Sequence, residues 1–120
     1  MDKTFMFVGA LMGGVGVAIG AFGAHGLKGR LSPDMLAVFE TGVRYHMYHA
    51  LAILATAALM SKLDGRAMHV AGWSFAAGIF IFSGSLYALA LTGTTMLGAI
   101  TPIGGVAFLL GWAALAIAAF

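Results

Sequence analysis

The chain has 120 residues, 62% of them hydrophobic and 8% charged, with a net charge of +2 and no cysteine. An ordinary soluble domain has roughly a quarter of its residues charged, so this composition cannot furnish a water-facing surface, and lipid is the expected solvent. The same totals exclude disulfides, thiolate metal sites and cysteine nucleophiles, leave little length for a soluble catalytic domain beside the spans, and imply no nucleic-acid partner.

Charged side chains occur only at positions 2 to 3, 28 to 44 and 62 to 66, leaving 4–27, 45–61 and 67–120 uncharged. A helix crossing the bilayer core needs about 20 mostly apolar residues. The first segment, 4–27, is too long and glycine-rich for a secretory leader, and should close near Gly26 and Gly29, where a residue without Cβ can take left-handed geometry. Ser32-Pro33-Asp34 then reads as N-cap, first helical position and first-turn acid. From there helical patterning continues to Lys62, too far for one perpendicular crossing. It predicts an interfacial amphipathic helix over about 33–43, with Leu36, Phe39 and Val43 as its lipid-facing stripe, and a crossing over about 44–61 after a bend at Gly42.

A turn at Asp64-Gly65 precedes a third crossing over about 69–91. Thr92 to Thr95 forms the next break, and Thr101-Pro102 reads as an N-cap and N1 pair opening a fourth crossing over 102–120. The expected fold is all-α: an integral membrane bundle of four transmembrane helices with a short interfacial helix between the first and second. Lys3, Lys62 and Arg66 on one side balance Lys28, Arg30 and Arg44 on the other, so the excess of positive charge on cytoplasmic loops does not orient it.

Helices associate in lipid through small residues that allow close approach. Gly9, Gly13, Gly16, Gly20 and Gly23 recur at steps of four, three, four and three, as do Gly104, Ala107, Gly111, Ala114 and Ala118, each set forming one smooth seam. The first seam serves packing within the chain or, alternatively, an interface with a second copy or another membrane protein.

Counting crossings places the 28–44 and 92–101 connections on the same face. His25, Glu40, Arg44, Tyr45, His46 and His49 from the first hairpin therefore share a membrane half with Ser83, Ser85, Tyr87 and Thr101 from the second. Polar groups at membrane depth turn toward partners inside a bundle, which makes a polar pocket open to the 28–44 face the candidate ligand site. Glu40 and Arg44 stand four apart with the acid first, the favourable order for a helical ion pair; alternatively Arg44 holds an anionic head group with Glu40 orienting it. His46 and His49 could ligate a metal or haem only with further ligands, of which His25 is the only obvious third, so neither metal nor cofactor is implied. His25 can equally bond the last carbonyls of its own helix. Tyr45, Tyr48, Trp73 and Tyr87 fit an aromatic belt. No catalytic triad, phosphate loop or carboxylate pair appears, and the chain reads as non-enzymatic.

The strings GAFGAHGL (20–27), FETGVRYHMYHALA (39–52), FSGSLYALALTG (82–93) and GAITPIGGVAFLLGW (98–112) resemble a family of small bacterial membrane proteins. It is the domain-of-unknown-function family numbered 423, related to YgdD-type proteins and to eukaryotic transmembrane protein 256. The resemblance covers nearly the whole chain and implies four transmembrane helices in a bacterial inner membrane, without an established activity, cofactor or catalytic residue. The expected function is non-enzymatic binding of a lipid, small amphiphile or partner helix in the polar pocket; the alternatives are an oligomeric small transporter or channel and an accessory subunit of a larger membrane complex.

Overall fold

The computed structural model describes residues 3–63 and 65–120, and every regular element among them is helical. Helix α1 (Lys3–Leu27) ends in a π-helical turn at Gly23–Leu27. Helix α2 is Pro33–Leu59. Helix α3 (Gly65–Thr92) contains a second π turn at Ile79–Ser83. A 3-10 turn at Thr95–Ala99 leads into α4, Thr101–Ala118. Three helical stretches, Lys3–Leu27, Gly65–Thr92 and Thr95–Ala118, are long and apolar enough to cross a membrane. Helix α2 matches them in length but carries Arg44, Tyr45, His46, Tyr48 and His49 in its middle, which lowers its mean hydropathy.

The helix boundaries follow from local chemistry. Gly29 and Gly93 take φ of 86° and 71°, left-handed geometry that only glycine adopts without strain, and each closes the helix before it. Ser32 Oγ accepts a hydrogen bond from Met35 N at 3.2 Å and Pro33 opens α2, as the Ser-Pro pair predicts. Thr101 is different: Ile100 occupies the cap, and Thr101 is the first helical residue, its hydroxyl turned sideways to Ser85 and to the Leu97 carbonyl. Asp64 of the expected Asp64-Gly65 turn lies outside the described residues, and Gly65 already belongs to α3.

The separate interfacial helix expected over 33–43 is not marked off. Helix α2 runs uninterrupted through Gly42, and its Leu36, Phe39 and Val43 stripe faces the bundle instead of lipid. Phe39 is only 2% exposed, packed with Leu27 and Ala90 and 5.1 Å from the Tyr87 ring. The reason is length: α1 and α3 extend far enough on this side to cover the stripe.

Helix α1 lies along α2, and α4 along α3, with α2 and α3 in contact between them; the molecule measures 47 × 26 × 16 Å. The first glycine seam is covered by α2 except at Gly13, since a Cβ would come within 2.8 Å of Leu54 at Gly9, and within 2.5 Å of Met47 at Gly16 and of Phe39 at Gly23, but would meet nothing within 4 Å at Gly13. In the second seam a Cβ on Gly104 would run into the backbone of Phe82, and one on Gly111 would lie 2.5 Å from Phe75. Phe5, Ile53, Phe75, Ile79 and Phe108 form the centre of the main core.

Candidate functional site

The polar residues of α2 and α3 divide among three places, because successive helical residues point 100° apart. Ser83 and Tyr87, four apart, face α2: Ser83 Oγ donates to the Gly42 carbonyl at 2.7 Å, and the Tyr87 hydroxyl lies 2.9 Å from His46 Nδ1. Ser85, between them in sequence, points away toward α4 and pairs with the Thr101 hydroxyl while donating to the Phe82 carbonyl at 2.9 Å.

The two histidines are 3% and 4% exposed and have both ring nitrogens engaged. A carbonyl can only accept, so His46 Nε2–H donates to Met12 O at 2.7 Å, leaving Nδ1 for Tyr87. By the same rule His49 Nδ1–H donates to Tyr45 O at 2.6 Å, and its Nε2 accepts from Trp112 Nε1 at 3.0 Å. Phe108 stacks on the His49 ring at 3.5 Å and 7°. With that lone pair taken by Trp112, His49 has none for a metal. Among the described residues no group of three or more His, Cys, Asp or Glu is arranged to hold an ion. No buried side-chain nitrogen or oxygen among them lacks a partner.

The remaining predicted residues stand at the 28–44 end and are exposed. Arg44 turns to Thr41, Nη2 to Oγ1 3.2 Å, and the expected ion pair with Glu40 does not form among the described residues. Glu40 and Arg44 nevertheless share the rim of a cleft of about 270 Å³ between α1 and α2, floored by Gly20, Gly23 and Phe39. His25 is exposed on the π turn, and the helix end it was expected to cap is closed by the backbone, Arg30 N and Leu31 N bonding the Leu27 carbonyl at 2.9 and 3.2 Å. Tyr87 is half-buried in the His46 pair, so it is no member of an aromatic belt; Tyr45 and Tyr48 are exposed on α2.

The ten residues therefore do not converge on one pocket. His46, Tyr87 and Ser83 tie α2 to its neighbours, Ser85 and Thr101 tie α3 to α4, His49 joins Trp112, and Glu40 with Arg44 borders the cleft. Three contributors escaped sequence reasoning: the Met12 carbonyl, Trp112 and Phe108. A main-chain acceptor has no sequence signature. Trp112 and Phe108 did carry one, being two aromatics four apart on a helix rich in small residues.

A model of the family described as protein of unknown function (DUF423) matches residues 19–105. The UPF0382 membrane protein YwdK of Bacillus subtilis is 50% identical over 118 residues, covering 98% of this chain and 96% of its own. The UPF0382 membrane proteins SAB0533 of Staphylococcus aureus and SERP0230 of Staphylococcus epidermidis are each 49% identical, over 98% and 97% of this chain and 96% and 94% of theirs. No solved structure matches.

Proposed function

This chain belongs to the DUF423 family of membrane proteins of unknown function, and from that premise we propose that it crosses a bacterial inner membrane four times and binds an anionic lipid head group, without catalysing a reaction, at the Glu40–Arg44 cleft. The fourth crossing is α2. Its histidines and Thr56 are bonded internally, Thr56 Oγ1 donating to Ala52 O at 2.8 Å, and so bring no unpaired polar group into lipid. It also lies along α1, one of the three apolar stretches, over most of its length.

The observation that carries the binding reading is the state of Arg44. Its guanidinium is exposed at the cleft and held by a neutral threonine, so its charge is not cancelled by the carboxylate four residues earlier. A guanidinium presents paired N–H donors in the geometry of a phosphate, and a basic residue near the membrane surface attracts anionic lipid. Glu40 on the same rim would favour a head group that also offers a hydrogen-bond donor.

The test compares Arg44→Ala with Lys62→Ala in vesicles with and without phosphatidylglycerol, reading the thermal unfolding midpoint. Stabilisation by the anionic lipid should disappear in Arg44→Ala and persist in Lys62→Ala. Equal responses would reduce Arg44 to a surface charge.

A further inference from the structure

We propose that the groove between α2 and α4 seats one acyl chain of an anionic phospholipid whose phosphate is held at Arg44. The groove is a different surface from the Glu40 cleft, though its head-group end rests on the reading of Arg44 given above. It encloses about 620 Å³, its walls formed by Tyr45, Tyr48, Phe82, Leu109 and Trp112 and its floor by Gly105. It follows α4 from Pro102 to Trp112, ten steps of the helix and so about 15 Å.

Several features select a hydrocarbon chain. The groove opens on the flank of the bundle, with Tyr48, Leu109 and Trp112 exposed by 54%, 69% and 46%, where the surrounding medium is lipid. The polar groups at its base are already satisfied, since both His49 nitrogens and the Trp112 N–H are spent on protein partners and Phe108 covers the imidazole. A chain lying along that base meets no unpaired imidazole or indole nitrogen. Gly105 leaves the space: a Cβ built on it meets nothing within 4 Å.

The anionic head follows from register. Arg44 precedes Tyr48 by four residues and so stands one turn above it on the same face of α2, at the end of the groove toward the 28–44 connection. No carboxylate lines the groove, and the exposed Arg44 charge is complementary to a phosphate whose chain runs down past Tyr48.

Bromine on an acyl chain quenches tryptophan that it touches, and the chain has two tryptophans, Trp73 and Trp112. In Trp73→Phe, Trp112 alone reports on the groove; in Trp112→Phe, Trp73 reports on another flank of the bundle. Each variant is placed in vesicles doped with brominated phosphatidylglycerol or brominated phosphatidylcholine at equal fractions. Trp112 should be quenched at about fivefold lower fractions of the anionic lipid, as expected for one basic residue near the surface, and Trp73 equally by both. Adding Arg44→Gln should abolish the preference. Adding Gly105→Leu should reduce quenching by both lipids while the unfolding midpoint is retained. Equal quenching of Trp112 by the two lipids, the same preference at Trp73, or undiminished quenching in a folded Gly105→Leu variant would each overturn the proposal. If Gly105→Leu fails to fold, the Arg44→Gln comparison decides alone. Lipid-dependent stability at Arg44 with unselective quenching at Trp112 would leave the cleft reading standing and remove the groove; selective quenching without that stability would remove the cleft.

Discussion

His46 and His49 sit three residues apart, about 60° around one helix, and bond to different neighbours. His46 looks toward α1 and α3, His49 toward α4, and each carries the tautomer its carbonyl partner dictates. Hydrogen bonds between membrane helices average about 0.6 kcal/mol and reach about 1.7. Tyr87→Phe and Trp112→Phe should therefore each lower stability by about 0.6 kcal/mol, measured as reversible unfolding in detergent or bicelles, and the two losses should add because the pairs share no partner. Non-additivity would mean that the histidines act as one network. Burial of both rings was legible in the sequence, because an imidazole at membrane depth has nowhere else to go. Their separate partners were not, since a 100° turn per residue distributes neighbours among different helices and the distances in sequence, 41 to Tyr87 and 63 to Trp112, carry no local signal.

The helices themselves were largely legible from the placement of charge, the Ser32-Pro33 start and the breaks at Gly29 and Gly93. Gly42 shows where that reading fails. Taken alone it suggests a bend, yet it stands within an unbroken helix because a Cβ there would come 2.8 Å from the Tyr87 ring. A glycine needed for close approach and a glycine needed for a kink look identical in sequence. The same distinction yields a prediction for the seams. Gly104→Ala drives a Cβ into the rigid backbone of Phe82 and should cost about 1–3 kcal/mol, whereas Gly13→Ala, with nothing within 4 Å, should leave stability unchanged or slightly raised. Thermal unfolding of the two variants side by side checks it; comparable losses would mean that α4 can shift away from α3.

For the molecule as a whole, the crossing number is the property on which membrane placement depends. The chain has no cysteine, so Ser32→Cys, Ser61→Cys and Thr94→Cys each introduce one accessible thiol at an exposed connection. With four crossings, an impermeant maleimide applied to intact cells should label positions 32 and 94 from one side and 61 from the other. Labelling of 32 and 61 from the same side would mean that α2 does not cross. Sequence parity alone makes this prediction, whereas the flat arrangement with α2 and α3 in the middle required packing to be seen. One further consequence lies in unequal helix lengths. Helix α4 has 18 residues and α3 has 28, so α3 outlasts it by about 15 Å. The pairing of Thr101 with Ser85 puts most of that excess on the 28–44 side. A hydrocarbon slab matched to α4 leaves the ends of α1, α2 and α3 standing among head groups on one leaflet only. Thicker bilayers must be pinched beside α4 and thinner ones leave its neighbours proud, a one-sided mismatch that would bias the protein toward membranes of a particular thickness.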